Sequence, residues 1–201
     1  PGLGVWLSAI DGAGPPMVTK LSRCLLEVRR MVNGALVSPA VAEAPPDLVL
    51  DSIRGDGYAL RDWLTSYPLL LVALDPYTHE SAWIIETAGR FLEHYSPSDV
   101  RVGWLVTADD DGCRQFLGPW AERLLTFAHP EREAVEALGF ERLPGLTFVR
   151  SDRHVEVVNG WDPDNWRRIA EMLAKILRWS RPVIPRPGDP TPYLGTPVKG
   201  V

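Results

Sequence analysis

Residues 68–74 read Pro-Leu-Leu-Leu-Val-Ala-Leu, an uninterrupted apolar run of the length of one β-strand. A strand that is apolar at every position is buried on both faces, as in the centre of an α/β sheet. Asp75-Pro76-Tyr77 ends the run, and residues 79–95 then carry apolar side chains at helical spacing. Residues 100–106 form a second apolar run. A strand, a helix and another strand in this order predict a parallel pair with a right-handed crossover.

The segments on either side of this unit predict further strands and helices. The additional strands are predicted at 48–50, 58–60, 146–149 and 155–158, and the additional helices at 112–125, 131–138 and 162–179. The last helix begins with Asp162 as its cap and Pro163 at its first helical position. The two strands before that helix predict a hairpin, which adds antiparallel strands to the parallel pair. The sequence therefore predicts an α/β fold, with a mixed sheet and helices on both faces.

The composition divides the chain into an arm, a body and a tail. Residues 1–45 predict an arm with an amphipathic helix at 17–33, which we expect to dock on the body or to serve a partner. Residues 46–179 form the predicted α/β domain. Residues 180–201 are rich in Pro and are expected to be extended and poor in regular structure. We expect this tail to wrap the surface of the domain, with binding to a partner as the alternative.

The overall composition excludes several classes of protein. Hydrophobic residues make up 45% and charged residues 23% of the 201 positions, which rules out collagen-like, disordered and disulfide-dense chains. A net charge of −5 argues against a general nucleic-acid-binding role. No run of about 18 apolar residues is present, so no membrane span is predicted. We expect a cytoplasmic protein. Because the chain opens on Pro1 rather than Met, the presence of a targeting segment upstream is an open question.

Four segments, in this order and spacing, resemble the thioredoxin-like superfamily, in particular its peroxiredoxin and TlpA-type branch. They are the opening segment with Pro46-Asp47-Leu48-Val49-Leu50 and Ala59-Leu60-Arg61-Asp62-Trp63, the central strand at 69–74, the loop Gly139-Phe140-Glu141-Arg142-Leu143-Pro144 before the strand at 146–149, and the closing hairpin with its terminal helix. The resemblance covers residues 46–179. It implies a thioredoxin-like fold, a cis-proline loop at Leu143-Pro144, and an active-site loop between the central strand and its helix.

The sequence departs from the family pattern at this active-site loop. Where the family has its C-x-x-C motif, the chain reads Thr78-His79-Glu80-Ser81. In the peroxiredoxin version of the loop, T-x-x-C, Thr78 matches the threonine, but Ser81 replaces the cysteine that attacks peroxide. A serine hydroxyl has no anionic state near neutral pH that corresponds to a thiolate. We therefore expect neither dithiol exchange nor thiol peroxidase activity at this loop, and we expect Thr78 and Ser81 to cap the helix.

Other residues are weaker candidates for chemistry. Cys113 follows three aspartates at a predicted helix start, where the helix N-terminus lowers and the carboxylates raise the pKa of a thiol, and we expect it to be unreactive. Cys24 is expected to pack on the apolar stripe of the arm helix, and a disulfide between the two cysteines is left open. His79 beside Glu80 is a minor candidate for acid–base catalysis. The histidine spacing predicts no metal site, and no cofactor is expected.

Eight tryptophans are a large number for a chain of this length. Trp6 and Trp120 are expected to lie outside the core. Most of the others are expected to be core residues, namely Trp63, Trp83, Trp104, Trp161, Trp166 and Trp179.

Functions from different classes remain open at this point. We expect a redox-inactive thioredoxin-like domain that acts as a protein-binding, assembly or accessory subunit. Its partner, another protein or a second copy of the chain, would be held by the arm, the tail or a binding face. The residues of this face are Tyr77, Thr78, His79, Glu80, Ser81, Leu143 and Pro144. The alternatives are a thiol oxidoreductase or thiol peroxidase that uses Cys113 or Cys24, and a small-molecule binder that uses the same cleft.

Overall fold

The computed structural model describes residues 43–55 and 57–199, so the predicted arm helix at 17–33 and Cys24 lie outside the described residues. The strands are β1 (Val49–Asp51), β2 (Gly57–Ala59), β3 (Leu69–Leu74), β4 (Arg101–Val106), β5 (Leu125–Ala128), β6 (Arg142–Leu143), β7 (Gly145–Val149), β8 (Val155–Asn159) and β9 (Thr196–Pro197). The helices are α1 (Leu60–Trp63), α2 (His79–Tyr95), α3 (Asp110–Leu117), α4 (Trp120–Arg123), α5 (Glu133–Ala137) and α6 (Pro163–Leu177). Within these described ranges, none of the helices is both long enough and apolar enough to cross a membrane.

A five-stranded mixed sheet, in the order β5-β4-β3-β7-β8, organises this part of the chain. The central strand β3 runs parallel to β4 and antiparallel to β7, with Leu69 opposite Arg101 on one side and Val149 on the other. β4 runs parallel to β5, and β7 runs antiparallel to β8. The arrangement confirms the predicted mixed α/β sheet, in which a parallel strand-helix-strand unit is followed by an antiparallel hairpin.

Alternate side chains of β3 enter two different apolar cores, one on each face of the sheet. Leu70, Val72 and Leu74 join the core that contains Phe91 of α2 and Trp166 of α6. The three intervening side chains join the core on the opposite face. All six side chains of β3 are buried. Because both faces are covered, every position of the strand favours an apolar residue, which explains the absence of alternation in the sequence.

The segment between β4 and α5 differs from the predicted interrupted helix at 112–125. α3 ends at Leu117, because Gly118 adopts a φ of +55° and Pro119 follows it. After the short α4, residues 125–128 form β5 and extend the sheet beside β4. Such a short apolar run cannot be distinguished from a piece of buried helix by its periodicity, so only the pairing with β4 decides its structure.

Three tryptophans lie differently from the prediction. Trp120 is buried in the core against α2, where a Cβ on Gly89 would come within 2.6 Å of its ring. Trp83 is exposed, because it lies on α2 beside the stripe of buried residues that includes Ser81 and Ile84. Trp179 lies beyond the end of α6 and is also exposed.

The tail follows the surface of the domain over residues 180–199. Trp161 and Tyr193 exchange two backbone hydrogen bonds of 2.9 Å each, and β9 pairs antiparallel with β6. Ile184 and Val198 are buried. The Asp189 side chain is only 3% exposed. The tail therefore wraps the surface of the domain, and it contacts α2, β6 and the segment that follows β8.

Candidate functional site

The loop between β3 and α2 is fixed by Asp75, a buried carboxylate at the carboxyl end of the central strand. Its Oδ1 accepts a 3.0 Å hydrogen bond from the backbone N–H of Tyr77, and its Oδ2 lies 2.6 Å from Nη2 of Arg132. Arg132 comes from the start of α5 and adopts a left-handed φ of 60°. An unpaired buried carboxylate is costly, and the guanidinium of Arg132 offsets the cost of burying Asp75 at this position. No local pattern in the sequence predicts this pair, because its members lie 57 positions apart in the chain.

Thr78 and Ser81 form a hydroxyl pair at the start of α2. The two Oγ atoms lie 3.0 Å apart, and the Thr78 hydroxyl is also 3.0 Å from the backbone oxygen of Asp75. Ser81 Oγ accepts a 2.9 Å hydrogen bond from the Asp75 backbone N–H, and the Ser81 side chain is fully buried. The prediction of helix capping is wrong: Thr78 occupies the N-cap position, but its side chain bonds no free amide of the helix. The hydroxyls instead hold the preceding loop.

The predicted cis-proline loop is present, because the peptide bond between Leu143 and Pro144 is cis. In the sheet, Gly145 lies opposite Ala73, so this loop and the Asp75 loop are at the same end of β3. Leu143 and Pro144 are both buried. They can therefore contact a partner only if the tail, which covers them, moves away.

The tail bridges the two loops. The Tyr193 hydroxyl donates a 2.6 Å hydrogen bond to the backbone oxygen of Glu80 in the first turn of α2. Burial, together with the charge of Glu80, raises the pKa of Tyr193 above its ordinary value, so the phenol keeps its proton for this bond. On the other side, Arg142 donates to the backbone oxygen of Gly195 at 2.8 Å. Arg132, the partner of Asp75, also lies 3.3 Å from the backbone oxygen of Val198.

Around this bridge, several side chains remain exposed. Tyr77 is 82% exposed, Leu194 is 64% exposed, and Trp83 is 59% exposed with its ring in edge-to-face contact with Tyr193. His79 is exposed as well. Of the predicted face, Tyr77 and His79 are thus accessible, Thr78 and Glu80 are partly accessible, and the rest is buried. Trp83 and Leu194 belong to the accessible surface but were not predicted, because their exposure depends on how α2 and the tail pack.

Cys113 does not have the environment of a reactive thiol. It is a free cysteine, fully buried in α3, and its Sγ lies 3.7 Å from the backbone oxygen of Ala108. Burial, followed by the charges of Asp110 and Asp109, raises the pKa of Cys113 to about 12. The thiolate is therefore essentially absent near neutral pH, as expected from the three aspartates before it.

The described residues offer no metal centre: among them, no three His, Cys, Asp or Glu side chains lie close enough together to hold an ion. Two of the histidines have structural partners. His129 lies 2.8 Å from the backbone oxygen of Val49, and His94 lies 3.0 Å from that of Ser180. These contacts tie distant segments of the domain together.

No protein-family model and no curated protein matches this sequence. Solved structures do match. DsbF of Mycobacterium tuberculosis is 16% identical, with a TM-score of 0.54 over 65% of this chain and 98% of that chain. A candidate thiol:disulfide interchange protein DsbE from Chlorobium tepidum is 14% identical, with a TM-score of 0.56 over 68% of this chain and 96% of that chain.

The thioredoxin domain of a thiol-disulfide oxidoreductase from Bacteroides vulgatus is 10% identical, with a TM-score of 0.52 over 67% of this chain and 99% of that chain. The chain therefore has the thioredoxin-like fold. At these identities the likeness shows the fold and leaves the activity to be argued from the residues of the site.

Proposed function

We propose that this thioredoxin-like domain acts by binding another protein, without thiol chemistry, through the face around the active-site loop. One observation carries the proposal: the oxygens of Thr78 and Ser81, which stand where the family that the sequence resembles has its C-x-x-C motif, are hydrogen-bonded to each other and to Asp75. A neutral hydroxyl is neither a thiolate nucleophile nor a sulfur leaving group, so neither residue can carry out disulfide exchange. An assembly or accessory subunit needs only the surface that surrounds them.

The exposed aromatic side chains support the binding role. Tyr77 and Trp83 present large apolar areas to solvent on the loop and on the first turns of α2. Aromatic residues of this kind are enriched at protein interfaces, because each has a large contact area and few rotatable bonds. A polar His79 beside them adds a hydrogen-bonding group to the same surface.

The second candidate is a thiol oxidoreductase that uses Cys24. The named activity of two of the structural neighbours, thiol-disulfide exchange or oxidoreduction, favours it. Cys113 is a poor nucleophile for this purpose, because it is buried and protonated. The two candidates differ in one requirement: the enzyme needs a reactive cysteine, and the binding domain needs none.

The first experiment measures insulin reduction and peroxide consumption by the purified chain and by its Cys24→Ser and Cys113→Ser variants. We expect no turnover from any of them. Turnover that Cys24→Ser or Cys113→Ser abolishes would overturn the binding proposal and establish the enzyme.

A positive test uses a photo-crosslinking amino acid in place of Tyr77 in the cells that make the protein. The matched control carries the same group in place of Tyr58, which is 50% exposed but lies on β2. We expect a discrete cross-linked protein at position 77 and none at position 58. The same products at both positions would show that the cross-links are non-specific and contradict the proposal.

A further inference from the structure

We propose that the groove beside β6 is a binding site for an extended peptide, and that residues 193–198 occupy it as a ligand within the same chain. A partner segment with the pattern Tyr-x-Gly-x-x-Val would displace them. The inference rests on the proposed function, because the groove is the covered part of the proposed binding face. We call residues 193–198 (Tyr-Leu-Gly-Thr-Pro-Val) the strap.

The strap is held to a large extent through backbone groups, which any extended peptide can offer. Thr196 pairs with Leu143 in the β6–β9 ladder, and the Val198 N–H donates to the Glu141 oxygen at 2.9 Å. At the other end, Tyr193 and Trp161 exchange two backbone hydrogen bonds. Strand addition of this kind gives affinity through the main chain, while pockets for alternate side chains give specificity.

The domain makes specific contacts with three positions of the strap. Tyr193 places its hydroxyl on the Glu80 oxygen and its ring against Trp83. Gly195 has a φ of +76°, and a Cβ there would overlap the backbone oxygen of Leu143. At this position glycine is required both by its backbone conformation and by the close approach.

The third position is Val198, which is buried in the same apolar core as Leu143. The residues between these three positions contribute less to specificity, since Leu194 and Pro197 are exposed. The groove therefore selects an aromatic hydroxyl, a glycine two residues later, and a branched apolar residue three further on.

The strap can leave without unravelling the tail before it. Asp189, just upstream, keeps its own contacts with Thr87 at 2.7 Å and with Arg90, both on α2. Downstream of the strap, Lys199 is exposed and pairs with the Glu136 carboxylate on the surface. Displacement thus exchanges one set of strand pairings for an equivalent one.

The test uses the full chain with Gly195→Val, which removes the fit of the strap. The matched control is Gly188→Val, because Gly188 also has a positive φ (+95°) but no atoms near its would-be Cβ. Fluorescence anisotropy then measures the binding of a labelled peptide with the wild-type sequence of residues 191–199. We expect binding to Gly195→Val to be roughly 100-fold tighter than to wild type or Gly188→Val, because a tethered strap competes at an effective concentration in the millimolar range.

Specificity is tested with a second peptide, in which valine replaces the glycine that corresponds to Gly195. We expect it to bind none of the three chains. Equal binding of both peptides to the Gly195→Val chain would overturn the proposal. The proposal would also be overturned if the wild-type peptide did not bind to a Gly195→Val chain whose strap is shown to be released. Circular dichroism shows that this chain is folded, and rapid exchange of the Val198 amide shows that its strap has left the groove.

If Gly195→Val does not fold, a protease site inserted after the exposed Thr191, which leaves the Asp189 contacts on the domain, serves the same purpose. After cleavage, we expect excess labelled peptide to replace the strap, and failure to replace it overturns the proposal. A wild-type dimer that the peptide dissociates would assign the groove to a second copy and contradict the partner claim. These outcomes are independent of thiol turnover and of cross-linking at Tyr77, so failure here is distinguishable from failure of the proposed function.

Discussion

The hydroxyl oxygens of Thr78 and Ser81 lie 3.0 Å apart at the first turn of α2. They stand at the first and last positions of the segment where the family that the sequence resembles carries C-x-x-C. The separation is about 1 Å longer than a disulfide bond, which measures about 2.05 Å. The Thr78 and Ser81 side chains are therefore close enough together for a pair of thiols at these two positions to meet.

This proximity predicts that the Thr78→Cys/Ser81→Cys double variant forms an intramolecular disulfide in air. The two side chains already face each other, so little backbone movement is needed for the bond. Mass spectrometry after alkylation counts the free thiols before and after reduction.

Ser81→Cys alone is the control, and its added thiol is expected to remain free. A double variant that alkylates as fully as the single one would show that the two β-carbons do not approach closely enough.

Ser81→Ala tests the structural role of the hydroxyl. The change leaves the buried N–H of Asp75 without its acceptor, so we expect a loss of about 1–3 kcal/mol in the free energy of unfolding. Urea denaturation measures it. The matched control is Ser98→Ala, whose hydroxyl donates to the Tyr95 oxygen at the partly exposed end of α2. A similar loss in both variants would mean that Ser81 has no special part in holding the loop.

In the native chain, we expect Cys113 not to react with a chromogenic disulfide between pH 5 and 9. After unfolding, we expect it to react. Its folded pKa of about 12 lies above the ordinary thiol value, so burial stabilises the protonated form. The contribution of the buried, protonated thiol to the free energy of unfolding is present below the pKa of Cys113 in the unfolded chain, about 8.5. It is lost as the pH rises from there toward the pKa of Cys113 in the folded chain. The measurement uses the Cys24→Ser background. Native reactivity at pH 7 would contradict the burial of the thiol.

Asp189→Asn is expected to lower the free energy of unfolding by about 1–3 kcal/mol at pH 7, because Arg90 and Thr87 lose a buried carboxylate partner. The control is Glu171→Gln, which breaks only the exposed pair with Arg181 and should cost less than about 1 kcal/mol.

The effect of Asp189 should depend on pH in a defined direction. Burial alone would raise the pKa of Asp189, but hydrogen bonds from the Arg186 backbone, Arg90 and Thr87 outweigh it and lower the pKa. A lowered folded pKa gives stability that is present above the unfolded value of about 3.9 and is lost as the pH falls through the folded value. The difference between wild type and Asp189→Asn should therefore be constant from pH 8 to about 5 and shrink in acid. A difference that grows in acid would contradict this.

The central part of the fold could be predicted because its determinants are local. The run at 69–74 indicates a strand buried on both faces, and Asp162-Pro163 marks the start of α6 by capping chemistry. The strand β5 could not be predicted, since its four residues become a strand only through pairing with β4.

The site was predictable only in part, for the same reason. The motif positions Thr78 and Ser81 are visible in the sequence, but their bonds to Asp75 are not. The contact between Tyr193 and Glu80 joins residues 113 positions apart, and no local pattern encodes it. Composition alone indicates an extended tail, and the specific fit of Gly195 against Leu143 determines where that tail lies.

The pairing of β9 with β6 also sets an order of events during synthesis. Ribosomes synthesise chains from the N-terminus, so residues 142 and 143 are made well before residues 196 and 197. In that interval, the backbone groups of β6 have no partner from the strap. If β6 binds extended peptides as proposed, a nascent chain is therefore more open to such a peptide before residues 193–198 have been made than after the strap has paired with β6.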